Sequence, residues 1–172
     1  DIIIRLTGDN PILDASYLDK ALNHFIMHKL EYLYTKGLPL GCNFEIMSFN
    51  ALESAFNNAE SSYEKEHVTP FIKKLKIKKD ILFLSFEGNE NLRLTIDYPS
   101  DYALMNFIFS SIDKPSLKEV GLFFEKNNWL MGINSGNYQK KEYDSLEEEI
   151  EVIIPFLKKM ELHRVIEIIK TN

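Results

Sequence analysis

The feature that most constrains this chain is an alternation. Short β-branched or apolar runs are each followed by an amphipathic stretch that opens on a capping residue. Ile2-Ile3-Ile4-Arg5-Leu6 runs into Thr7-Gly8-Asp9, and a continuous apolar run closed by such a turn predicts a strand buried on both faces. Asp14 then reads as an N-cap, with Leu18, Ala21, Leu22, Phe25 and Ile26 at helical spacing behind it. The runs Glu31–Thr35 and Asn43–Ser48 predict two more strands around a Gly/Pro loop at Lys36–Gly41. Asn50 with Glu53 has the form of a capping box for a helix to about Asn58. The polar stretch Glu60–Glu66 predicts a loop, and His67–Leu75 a short helix with Pro70 in its first turn.

Further along, Ile81–Phe86 and Leu92–Ile96 predict a β-hairpin across Glu87–Asn91. Helices are expected from Ser100 or Asp101, from Ser116 with Glu119, and from Ser145 with Glu148. Pro155 is expected to interrupt or kink the last of these, and Leu157–Ile169 carries an apolar stripe that suits a core or an oligomer contact. Strands alternating with helices define an α/β fold.

Composition narrows the functions. A chain of 172 residues, 45% hydrophobic, is one domain or one domain with an appendage, and its 12% aromatic content argues against disorder. The net charge of −6 argues against a nucleic-acid partner. The single cysteine, Cys42, allows no internal disulfide or CxxC metal site, which suits a reducing, cytoplasmic setting. No apolar run approaches the length of a membrane span, and no basic-apolar leader opens the chain. A start at Asp1 suggests trimming or processing, with further chain upstream. Neither GxGxxG nor GxxxxGK[ST] occurs, so no phosphate-cradling loop is expected within these residues.

Two carboxylates follow predicted strands. Asp9 lies past the first and Asp97 past Leu92–Ile96, where ligands of open α/β sheets bind. Such carboxylates suit Mg²⁺, a hard cation. The ordinary alternatives are a turn aspartate for Asp9 and a helix cap at Asp97 or Asp101. His67, heading a helix, could bind an anion, shuttle protons or simply close the helix start. His24 and His28 lack the glutamate of a HExxH site and read as a solvated helix face, as does the turn Glu147–Glu149. Trp129 is expected in the core or an interface.

Four segments carry a resemblance. Residues 4–14, Ile-Arg-Leu-Thr-Gly-Asp-Asn-Pro-Ile-Leu-Asp, resemble the RxTGDxPxxD element of the spore-coat polysaccharide (SpsF-type) cytidylyltransferases, relatives of the CMP-acidic-sugar synthetases. Gly41–Leu52 is similar to that family's GxxxExxsfxaL stretch, Glu66–Ile72 to its EHVTPyi, and Leu94–Asp101 to its lTvDxpxD, in the family's order. Residues 116–139 resemble its tail, so the resemblance covers about residues 1–140, with 141–172 left as a helical extension.

The resemblance implies a nucleotidyltransferase-like (Rossmann-like) sheet with flanking helices. It implies that CTP and a sugar give a CMP-sugar and pyrophosphate with Mg²⁺. By that likeness Asp9 and Asp97 would bind the metal, while Gly41, Glu45, Glu66 and His67 would line the sugar side. The family's opening QARxxSxRLPGKxL loop, which grips the triphosphate, has no counterpart here, and Asn10 stands where Cys is common. The expectation is therefore the C-terminal two-thirds of such an enzyme, truncated before its nucleotide loop and inactive alone. Its first strand would be central in the intact sheet, and its open neighbour side would drive homodimerisation through Ile2–Leu6. A non-catalytic assembly or interaction module is the second reading. A glycosyltransferase is disfavoured, because Asp9 is followed by Asn10 and Pro11 and no Asp-x-Asp pair occurs.

Overall fold

The computed structural model describes residues 1–137 and 145–171. The chain divides into two units, 1–137 and 138–172. The expected boundary between 140 and 141 lies outside the described residues.

The first unit is built on a four-stranded mixed sheet in the order β1-β3-β2-β4, with β1 Ile2–Arg5, β2 Tyr32–Lys36, β3 Glu45–Ser48 and β4 Lys79–Phe83. β3 runs antiparallel to both β1 and β2, and β4 runs parallel to β2. Alternation along the strands sends Leu33 and Ile46 to one face and Tyr32, Tyr34, Glu45 and Met47 to the other. The first face packs on helices α1 (Ala15–Met27), α5 (Pro99–Ser111) and α6 (Leu117–Lys126), where Ala21, Phe25, Ile108, Val120 and Phe124 complete the larger core. The second face carries a smaller cluster of Tyr32, Met47, Ala51, Ala55 and Ile72, supplied by α2 (Phe49–Asn58) and α4 (Thr69–Lys74).

Local chemistry accounts for most helix starts. Asp14 accepts from Ser16 N at 2.9 Å, and Ser116 with Glu119 forms a reciprocal capping box, both as expected. α1 ends with Lys29 in the left-handed region (φ 49°), Leu30 N donating to Phe25 O and Lys29 N to Ile26 O. That is a Schellman turn without its usual glycine.

Several expectations are corrected. The first strand is not buried on both faces: among the described residues β1 is an edge strand paired only with β3, and Ile2 is 41% exposed. The β-hairpin does not form, because β4 pairs in parallel with β2, reached through α2–α4. Leu92–Ile96 instead makes, among the described residues, a single bridge, Leu40 to Arg93, and runs as an irregular segment in which Leu92, Arg93, Leu94 and Thr95 are all buried. The cap of α2 is Ser48, which accepts from Ala51 N at 3.1 Å; β3 ends there in extended geometry, so Asn50 is already inside the helix. Residues Ser62–His67 form a helix, α3, because Ser61 and Glu64 cap each other. Trp129 is 67% exposed, in a short 3₁₀ turn (Asn128–Ile133), with its ring edge-on to Phe107. His24 binds Asp80 Oδ2 at 2.8 Å and so ties α1 to the outer strand β4.

The second unit holds α7 (Leu146–Lys159) and α8 (His163–Thr171), packed on one another. Ser145 caps α7 by accepting from Glu148 N, and α7 continues through Pro155 as one helix.

Candidate active site

The register of the sheet builds the site. Arg5 pairs with Glu45 across β1 and β3, and Glu45 pairs with Tyr34 across β3 and β2. One row of side chains therefore crosses three strands. Arg5 Nη1 lies 3.1 Å from Glu45 Oε2, and Lys73 Nζ on α4 lies 3.2 Å from Oε1. Tyr32 OH, one pleat along, also donates to Oε1. Burial pushes the Glu45 carboxyl up, but Tyr32, Lys73 and Arg5 outweigh it and hold it below the usual carboxylate range. The same burial and the bond to Glu45 push the Tyr32 phenol far up, so it stays a donor.

This row forms part of the wall of a cleft of about 360 Å³. The cleft takes Arg5, Leu6, Thr7 and Asn10 from the first motif, Gly41–Glu45 from the second, His67, Thr69 and Pro70 from the third, and Lys73 just beyond it. Asn10 Nδ2 donates to Thr7 Oγ1 at 2.8 Å, and its buried Oδ1 has no hydrogen-bond partner among the described residues. Cys42 also lines the cleft, with its thiol pushed up to about 12 by burial, so it is an inert filler and no nucleophile.

Gly41 owes its identity to the backbone. Its φ is 94°, and a Cβ there would stand 2.5 Å from Leu94 O, where the chain at Leu40 exchanges bonds with Leu92 and Leu94. At Val68, between α3 and α4, φ is 63° and ψ −56°. This is γ-turn geometry that a β-branched residue adopts only under strain. It turns the chain between His67, whose ring lies 4.6 Å from that of Tyr63, and the buried Thr69.

Of the six residues singled out from sequence, Gly41, Glu45 and His67 meet at the cleft. Glu66 is exposed on α3 and is not part of its lining. Asp9 and Asp97 lie outside the lining but on adjoining backbone: Ile96 N donates to Asp9 O at 2.8 Å, and Thr95 Oγ1 to the same oxygen at 3.4 Å. Asp97 shares the Arg93 guanidinium with Asp101. Among the described residues no group of three or more His, Cys, Asp and Glu side chains could hold a metal ion. The contact between the two segments is made by the Asp9 backbone, and the Asp97 carboxylate is itself paired with Arg93 Nη2.

The buried network behind Asp97 was not legible from spacing. Asp101 is fully buried and accepts from Arg93 Nε at 2.9 Å and Nη2 at 3.0 Å, from the backbone N–H groups of Asp97 and Tyr98, and from the amides of Asn134 and Asn137. Burial raises its carboxyl, but these donors together hold it far below its ordinary value. Of the two candidate caps, Asp97 and Asp101, the structure shows Asp101, closing the first turn of α5. Arg93, within the expected strand Leu92–Ile96, is its buried counter-ion.

These geometries coincide with the comparisons. The cytidylyltransferase family model matches residues 1–150, and the chain belongs to that family. An uncharacterized protein of Methanocaldococcus jannaschii is 33% identical over 153 residues, 86% of this chain and 63% of that protein. The spore coat polysaccharide biosynthesis protein SpsF of Bacillus subtilis is 34% identical over 115 residues, 63% of this chain and 47% of that protein. The structure of a cytidylyltransferase from Leptospira borgpetersenii serovar Hardjo-bovis matches with a TM-score of 0.67 at 26% identity, over 83% of this chain and 61% of that one. The chain therefore spans less than two thirds of each of these proteins. The match from residue 1 to 150 passes the expected limit near 140 and does not carry the narrower expectation of the C-terminal two-thirds. Among the described residues no helix is long and apolar enough to cross a membrane.

Proposed function

We propose that these residues form the sugar side of a cytidylyltransferase that joins CTP to a sugar, giving a CMP-sugar and pyrophosphate, for surface polysaccharide synthesis. The observation that carries this reading is convergence. Three segments far apart in sequence, Arg5–Asn10, Gly41–Glu45 and His67–Lys73, line one cleft, and the fourth, at Thr95–Asp97, abuts Asp9 beside it.

Arg5, Lys73 and His67 offer donors and Glu45 with Asn43 offers acceptors, the mixture a polyhydroxylated substrate requires. Asp9 and Asp97 would hold Mg²⁺, which neutralises triphosphate charge when bound. The role of this chain's own groups is then positioning: Arg93 and the Asp101 amide contacts hold the Asp97 turn, and the Glu45 row fixes Arg5 and Lys73.

Isothermal titration of CTP with Mg²⁺ into this chain and into the complete gene product tests the reading. Binding by the complete product that is lost in Asp9→Asn and Asp97→Asn supports it. Absence of binding in both proteins overturns it, and the carboxylates revert to turn and cap residues.

A further inference from the structure

An acidic chain carries one concentrated basic segment. Between α4 and β4, five of the seven residues from Lys73 to Lys79 are lysine, a quarter of the 20 lysines and arginines in a chain of net charge −6. All five are exposed. Lys73 is paired with Glu45 and Lys74 with Glu64, while Lys79 Nζ donates to Leu75 O at 3.0 Å and to Lys73 O. Lys76 and Lys78 have no acidic partner among the described residues. The neighbouring carboxylates are engaged elsewhere: Glu31 accepts from Lys78 N at 3.1 Å, and Asp80 is bound to His24.

Apolar surface lies beside these lysines. Ile81 stands opposite Tyr34 and Phe83 opposite Lys36, so Lys79, Ile81 and Phe83 share the sheet face of Tyr32, Tyr34 and Lys36. Ile81 is 39% and Phe83 71% exposed. The ammonium groups of Lys36 and Lys73 lie 5.5 and 5.4 Å from the centre of the Tyr34 ring. Exposed apolar side chains among lysines are the composition of a surface that meets a charged interface with a hydrocarbon layer beneath it.

Two features select that partner over a nucleic acid. Residues 73–83 contain no arginine, the side chain whose planar fork suits phosphate recognition, and lysine acts as a point charge. Phe83 is the single aromatic of the segment, too few for a stacking platform. The acidic remainder of the chain is screened beyond a Debye length of about 8 Å. We propose that this edge of the first unit docks on an anionic membrane surface, with the Lys73–Lys79 turn over the headgroups and Phe83 in the interface. The proposal is independent of the reaction assigned to the cleft.

The test is cosedimentation of the full chain with vesicles of equal parts phosphatidylglycerol and phosphatidylcholine. Binding is expected, weakening as salt is raised, with none to phosphatidylcholine alone. Lys76→Gln with Lys78→Gln should weaken it roughly twenty-five-fold, at about fivefold for each lysine. Phe83→Ser should weaken it about tenfold, through lost apolar burial. Both variants should keep the wild-type urea midpoint, because these side chains are exposed. Lys118→Gln with Lys126→Gln, exposed lysines of α6, should leave binding within about twofold of wild type. Absence of binding overturns the proposal, as does equal binding to phosphatidylcholine. So does binding that survives the loss of Lys76 and Lys78, an equal loss in the α6 variant, or preference for a single-stranded oligonucleotide over the vesicles.

Discussion

Replacing Asp101 by Asn removes one charge and almost no volume, at a position with no exposed surface. The loss is concentrated on Arg93, which is 7% exposed and spends its Nε and Nη2 on this carboxylate. Separately, an amide that replaces Oδ2 would point a donor at Asp97 N, Tyr98 N and Arg93 Nη2; replacing Oδ1 turns it on Arg93 Nε, Asn134 and Asn137. No flip relieves the conflict. Removing one partner of a buried ion pair costs about 3–5 kcal/mol. Bonds to charged groups at ~1.5–3 kcal/mol each would sum to more, but bonds within one network are not additive. That loss is a large share of a typical domain stability of about 5–15 kcal/mol. Urea unfolding at neutral pH, followed through the single Trp129 in the same unit, should show the midpoint fall with an unchanged slope. Asp97→Asn is the control: its side chain is 42% exposed, and its pair with Arg93 should contribute at most about 1 kcal/mol. A cost for Asp101→Asn no larger than the control's would refute the assignment of Asp101 and Arg93 as the anchor of this turn.

Glu45→Gln should cost about 1–3 kcal/mol, since Arg5 and Lys73 lose their counter-charge. Because the folded Glu45 titrates below its ordinary value of 4.5, its contribution is full above that pH and disappears as pH falls through the lowered value. The gap between wild type and Glu45→Gln in denaturant midpoint should therefore narrow only on acidification. Gly41→Ala should cost about 2–4 kcal/mol, from a positive φ and a Cβ 2.5 Å from Leu94 O, whereas Gly8→Ala, with nothing within 4 Å, should stay within about 0.5 kcal/mol in the same assay. Lys29→Gly should raise stability by about 0.5–1 kcal/mol, read as a higher melting temperature, because it relieves a left-handed lysine at the end of α1.

Short-range chemistry was legible along the chain. Asp14, Ser116 and Ser145 cap the helices expected of them because a cap is a bond between neighbours, written within four residues. The motif segments likewise pointed to Gly41, Glu45 and His67, which the fold brings to one cleft. Pairing between distant segments was decided only in three dimensions. Ile81–Phe86 and Leu92–Ile96 carry hairpin chemistry, yet β2 offers the first of them a parallel partner, and that longer-range pairing prevails. Leu92–Thr95 looks like a strand because four consecutive residues are buried, and burial alone does not distinguish a strand from an irregular segment held between packed elements. Arg93 and Asp101 show the same limit. Eight positions apart, they could be two surface charges or one buried pair; only the placement of Asn134 and Asn137 around them, more than thirty residues on, determines which. A sequence states which groups need partners. Which partner is within reach depends on how the sheet and its helices pack, because hydrogen bonds and ion pairs act over a few ångströms while the residues that make them are scattered along the chain.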